Sequence, residues 1–198
     1  ILQDGCEELA AHGCTMAVGP MDGNTWQPYR LVTEFVHEPQ FFLEPDNPKA
    51  WPSHFVDSGF APLATYFSAL NNDLHSEDPL VDGVAEHMHA LGIEIRSLDA
   101  SRFDEDLRRI YEVARVSFRD NLLYMEIDEE EFVNLYRPLQ HAVHHDFILI
   151  AERHDKPVGF IFAIPDLLQA ERGEQLDTLI VKTLAILPDF DYAGLGHL

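Results

Sequence analysis

Cysteine is scarce in this sequence. Cys6 and Cys14 are the two present. They form no Cys-x-x-Cys pair, which excludes a disulfide framework, and both read as small buried apolar residues in a reducing cytoplasm. Positive charge is scarce as well: Lys and Arg number 13 against 35 Asp and Glu, a formal net charge of -22. Such a surface repels phosphate backbones, which argues against nucleic acid and membrane partners. It attracts a cationic substrate such as a small amine, beside the plainer benefit of solubility. No apolar run nears the roughly 20 residues of a membrane span, and the start lacks the pattern of a signal peptide. An initial Met is lacking too; the chain opens on Ile1, closes on Leu198 and reads as a fragment.

What is present suits one domain or two small ones: 198 residues, 46% of them hydrophobic. The most informative stretch is residues 179–198. Leu179, Ile180 and Val181, then Leu184, Ala185, Ile186 and Leu187, form an apolar run that Pro188 closes. That pattern predicts a buried central strand. Asp189-Phe190-Asp191-Tyr192-Ala193 leads from it into Gly194-Leu195-Gly196. Glycines two residues apart let the backbone turn tightly and approach a ligand closely. A helix starting there would offer its free N–H groups to an anion. Strand, glycine turn and helix start together predict a diphosphate cradle.

These residues resemble the acyl-CoA-binding signature of the GNAT acyltransferase superfamily. In that signature a strand ends in a Pro-acidic-aromatic step, followed by Arg or Gln, two variable residues, Gly, any residue, and Gly or Ala. Pro188, Asp189, Phe190, Gly194 and Gly196 match, whereas Asp191 stands where the family has Arg or Gln. A carboxylate at that position repels a bound diphosphate to a degree set by burial.

The rest of the chain extends the resemblance. Periodicity predicts a helix over residues 3–12 stopped by Gly13, strands over 15–18, 40–43 and 62–70, and a helix from Lys49 or Ala50 to Ser58. Gly19-Pro20-Met21-Asp22, Phe41-Phe42, Asn47-Pro48 and Gly59-Phe60 follow the order found in the latter half of tandem GNAT modules. Residues 71–79 are polar and acidic, a linker by composition, and 80–91 predict a helix closed by Gly92. The pattern then restarts with a strand over 93–97 and helices over about 102–117 and 128–136. Strands over 147–152 and 158–163 form a hairpin, and a partly helical link over 166–175 leads to the signature strand. Gly159-Phe160 and Pro165-Asp166 also look like tandem members. The organisation expected is therefore residues 1–70 as the back half of one GNAT-like module, 71–91 as linker and helix, and 92–198 as the front half of a second. The fold class expected is α/β, with a mixed, mostly antiparallel sheet flanked by helices.

The resemblance implies acyl transfer from acetyl-CoA, or another acyl-CoA, to a small amine. It implies that main-chain groups around Leu184, Ala185 and Ile186 read the pantetheine arm. It likewise implies that the amides of Tyr192, Ala193, Gly194, Leu195, Gly196 and His197 read the diphosphate. A catalytically silent GNAT-fold module that binds a ligand or partner is the alternative. Attack on a thioester needs a neutral amine, so some group must take its proton. Glu174, Asp177 and Asp189 lie near the signature strand, though each also reads as a solvated carboxylate. The residue that protonates the departing thiol belongs to a helix beyond Leu198 in the family. Tyr124 and Tyr136 read as core or rim aromatics, and the loop 118–127 is where the family admits substrate. His141, His144 and His145, with Asp146, offer a zinc or nickel reading. Without a His-Glu-x-x-His pair they read as surface histidines, and no metal is expected. Trp26 and Trp51 read as packing anchors.

Overall fold

The computed structural model describes every residue except 35–37, 77 and 142. The described residues form two compact units, Ile1–Leu74 and His75–Leu198.

In the first unit, α1 spans Leu2–Ala11 and α2 spans Trp51–Asp57. Both end as the glycines demand. Gly13 and Gly59 take φ of 83° and 91°, and the amides beyond each helix fold back onto its last turn, Cys14 N–H to Leu9 O at 3.0 Å and Phe60 N–H to Phe55 O at 3.0 Å. That left-handed exit is open to glycine at little cost. The Asn-Pro step acts through a buried side chain. Asn47 Oδ1 accepts from Val32 N–H at 2.7 Å while its Nδ2 donates to Val32 O at 3.2 Å, so one amide side chain replaces a strand partner.

The three strands expected here do not form among the described residues. Residues 40–43 instead enter a turn closed by Glu44 N–H to Phe41 O at 3.1 Å. Leu43 sits at φ 65°, which an extended strand does not allow. Met16, Leu63 and Phe67 are exposed, so the segments 15–18 and 62–70 gain no buried face from being extended, and an isolated strand pair is not stable alone. Cys14 and Trp51 are also exposed rather than buried, and Cys6 is half-buried.

The second unit follows its sequence closely. Its elements are α3 (Val81–Ala90), β1 (Ile93–Ser97), α4 (Phe103–Ser117), α5 (Glu129–Tyr136), β2 (Ile148–Arg153), β3 (Lys156–Pro165), α6 (Leu167–Glu171) and β4 (Leu179–Ile186). The sheet runs β1-β2-β3-β4, and each of its pairings is antiparallel. The mixed character expected of the sheet is therefore not seen among these strands. The acidic run behaves as its position dictates: Asp128 caps α5 by accepting from Glu131 N–H at 2.7 Å, with Glu129, Glu130 and Glu131 in the first turn, where the helix dipole favours them. The hairpin between β2 and β3 turns through His154 and Asp155, at φ 50° and 61°.

Helices cover both faces of the sheet. On one, α4 buries Leu107, Ile110, Val113 and Ala114, and Phe118 beyond it meets Phe160 edge-on at 6.5 Å. On the other, Met88 of α3 packs with Ile93, Ala151, Val158 and Leu195. A charged network ties α4 to the sheet. Asp106, with no solvent exposure, accepts from Arg96 at 2.7 and 2.8 Å and from Asp99 N–H at 2.8 Å. Arg96 also meets Glu152 at 2.9 Å, and Arg109 joins Glu152 at 2.6 Å. Burial alone would raise the Asp106 pKa, but Arg96 and the Asp99 amide outweigh it and hold the carboxyl below its ordinary range. The same bonds push the Arg96 pKa up.

Candidate functional site

The site begins at the edge of the sheet, because β4 pairs with β3 and with no other described strand. Leu187 N–H donates to Val158 O at 2.8 Å, and main-chain direction alternates along a strand. The main chain of Ala185 therefore faces β3, while that of Leu184 and Ile186 faces outward. One of these outward groups is engaged: Ile186 O accepts from Ser117 Oγ of α4 at 3.0 Å. Ala185 is buried, Ile186 half-buried and Leu184 exposed.

Past Pro188 the chain makes two single 3-10 turns, Phe190–Tyr192 and Leu195–His197. The α-helix expected after the glycines is thus one short turn within this chain. In the first turn, Asp189 Oδ1 accepts from Asp191 N–H at 3.0 Å. Tyr192 N–H and Ala193 N–H donate to Asp189 O and Phe190 O. In the second, His197 N–H donates to Gly194 O at 2.8 Å. Three of the amides expected to face a ligand, those of Tyr192, Ala193 and His197, are thus bonded inside the turns. The amides of Gly194, Leu195 and Gly196 have no acceptor among the described residues. Gly194 is left-handed, at φ 94° and ψ -12°, and a right-handed turn follows. This sequence of conformations points consecutive N–H groups into one concavity, a nest suited to an anionic oxygen.

Side chains from elsewhere fix this turn. Leu195 is buried against Met88, Ala151 and Val158. A Cβ on Gly194 would lie 3.1 Å from Val84 Cγ2 of α3, and one on Gly196 would lie 3.3 Å from Leu184 Cδ2. Arg153, the last residue of β2, reaches Asp191 with Nη1 to Oδ2 at 3.1 Å. Tyr192 first and Asp191 second raise the Arg153 pKa. Asp191 is therefore a paired carboxylate and not a lone charge beside the turn. At the far end His197 Nδ1 meets Asp78 Oδ2 at 2.6 Å. The Leu80 amide and then His197 lower the Asp78 pKa. Phe190 is 98% exposed.

The candidate proton acceptors have other partners. Glu174 pairs with Arg172 at 2.9 Å, Asp177 accepts from Gln169 Nε2 at 2.8 Å, and Asp189 caps its own turn. Burial pushes the Tyr136 phenol up to about 12 and raises that of Tyr124, so both stay protonated at neutral pH. In the loop 118–127, Leu122, Leu123 and Met125 are exposed. The histidines turn to separate partners: His145 Nε2 contacts Gln140 O at 3.1 Å, and His144 lies 3.5 Å from Asp146. Among the described residues no group of three or more His, Cys, Asp or Glu is arranged to hold a metal. No helix among them is long and apolar enough to cross a membrane.

Sequence reasoning missed Arg153, Asp78 and Val84 as neighbours of the turn, since each is distant in the chain and of ordinary type. Gly159 was legible as a glycine inside a strand, the mark of a close approach. A Cβ there would meet Ala185 O at 3.2 Å and Leu195 Cδ2 at 3.3 Å, so this glycine makes room for the turn.

No family model matches the chain. A bacterial ceramide synthase from Caulobacter vibrioides (strain NA1000 / CB15N) is 20% identical over 162 residues, 82% of this chain and 42% of that protein. The chain thus spans about two fifths of the length of this relative. The loading GNATL domain of CurA from Lyngbya majuscula superposes over 52% of each chain, with 25% identity and a TM-score of 0.33. In its own right, the unit His75–Leu198 has the order strand, helix, helix, strand, strand, strand and glycine turn that the GNAT resemblance implies.

Proposed function

We propose that the unit His75–Leu198 is a GNAT-type module that binds an acyl thioester carrier such as acetyl-CoA along β4 and the following turn. The observation that carries this reading is the row of unbonded amides at Gly194, Leu195 and Gly196, directly beyond a strand whose outer edge is open. Leu184 would offer its main-chain groups, and Ile186 its N–H, to the pantetheine arm, and the nest would take a diphosphate oxygen. Ala185, Tyr192, Ala193 and His197 would shape the site, their own main-chain groups being engaged. The engagement of Glu174, Asp177 and Asp189 with other partners favours a binding module without a complete reacting set on this chain.

N-acyl transfer to a small amine is the second reading. It draws on the family signature and on the likeness to a bacterial ceramide synthase, since ceramide is an amide made by acylating an amine. The two part in one experiment: titration of the protein with acetyl-CoA by calorimetry, followed by a free-thiol assay with an amine added. Binding without thiol release supports the first reading, amine-dependent release supports the second, and no binding at millimolar ligand overturns both.

A further inference from the structure

Among the described residues, one charged side chain of the sheet, Arg153, reaches the turn that presents the free amides, and it sits there at a cost. Arg153 ends β2 opposite Ile93, far from the signature in sequence. Its Nη1 holds Asp191, and its Nε is buried with no hydrogen-bond partner among the described residues. A buried donor left unsatisfied destabilises a fold, so the arrangement is a poor one for stability alone. It gains its sense from what it anchors. Asp191 and Tyr192 belong to the short turn immediately before left-handed Gly194, so Asp191 lies three residues ahead of the first of the three amides. The signature residue that departs from the family pattern is the one that Arg153 grips.

We propose that Arg153 is a positioning residue for the glycine turn, holding Asp191 so that the Gly194, Leu195 and Gly196 amides stay directed at the diphosphate of the bound carrier. This rests on the acyl-thioester reading, and its test has one arm that does not. In the ligand-free protein, amide exchange measured by NMR reads the turn directly. Arg153→Gln speeds exchange at Tyr192 and Ala193 by about fivefold, the range of a half-exposed ion pair, while Ile150 and Phe160 in the sheet stay unchanged. The exchanged pair Arg153→Asp with Asp191→Arg restores the slow rates.

In the second arm, Arg153→Gln weakens coenzyme A by about the same factor and leaves pantetheine, which lacks the diphosphate, unaffected. Unchanged exchange at Tyr192 and Ala193 overturns the proposal whatever happens to binding. Equal losses for coenzyme A and pantetheine also overturn it, since general loosening explains them. If the unaltered protein binds neither compound, the acyl-thioester reading falls, and with it the ligand that Arg153 was proposed to serve; the exchange arm then reports only a clamp on the turn.

Discussion

The sharpest difference within the glycine turn lies between two residues that the motif treats alike. Gly194→Ala and Gly196→Ala add the same methyl group two positions apart. At Gly194 the methyl must sit on a left-handed backbone, φ 94°, and 3.1 Å from Val84 Cγ2. The backbone part costs about 1–2 kcal/mol for an L side chain. The contact adds up to about 1 kcal/mol, the low end of overpacking, because Val84 is only half-buried. We expect Gly194→Ala to destabilise the second unit by about 1–3 kcal/mol. At Gly196 no such φ applies, and the methyl meets the end of the exposed Leu184 side chain at 3.3 Å. Losing a glycine there restricts the unfolded chain, which offsets the mild crowding, so the net change is within about 0.5 kcal/mol.

Urea unfolding followed by far-ultraviolet circular dichroism, with acetyl-CoA calorimetry alongside, measures both. Adding Val84→Ala to Gly194→Ala relieves the contact but leaves the backbone strain, so the double variant remains less stable than Val84→Ala alone by more than about 1 kcal/mol. Equal midpoints for the two glycine variants would refute the conformational argument.

Asp106→Ala leaves Arg96 with Glu152 and the Ser97 carbonyl and strands the Asp99 amide. It should cost about 3 kcal/mol, the low end for breaking a buried pair because Arg96 is partly solvated; sheet-amide exchange reads it, and a loss under about 1 kcal/mol contradicts the network. The folded Asp106 pKa lies below the ordinary 3.8, so its stabilisation is full above that value and disappears as pH falls through the depressed one. Asp106→Asn should therefore show a shallower decline of stability with acid below about pH 4. In the first unit, Asn47→Ala removes the clamp on Val32 and should cost about 1–3 kcal/mol. Both tryptophans, Trp26 and Trp51, lie in that unit, so fluorescence reports its unfolding alone. His154→Asn should stabilise the β2–β3 hairpin by about 0.5–1 kcal/mol, since asparagine tolerates a left-handed turn better; an unchanged melting temperature counts against it.

The second unit was legible because its signals were local and agreed with one another. β1 at Ile93–Ser97 alternates apolar and polar residues directly after Gly92, β4 at Leu179–Ile186 is an apolar run closed by Pro188, and each also finds a neighbour to pair with. In the first unit the local signals were similar in kind, but among the described residues no strand pairs with these segments. Residues 40–43 have the composition of a strand, yet without an adjacent edge Leu43 turns left-handed and the segment closes on itself. Strand propensity describes fit to a half-buried pleated surface, and it predicts nothing where that surface is missing. At the site, the glycines and Pro188 could be read directly. Which amides stay free could not, because that depends on the 3-10 turns, on Val84 beneath Gly194 and on Arg153 across the sheet.

The outer margin of β4 is not uniform along its length. Between Val181 and Thr183 its pairing with β3 slips at a bulge, and Lys182 stands exposed there. Both are devices by which folded chains discourage a foreign strand from adding to them. They guard the first half of β4 and leave only the few residues before Pro188 regular. A visiting polypeptide would find too short a stretch to zip onto, whereas a slender extended arm needs no more.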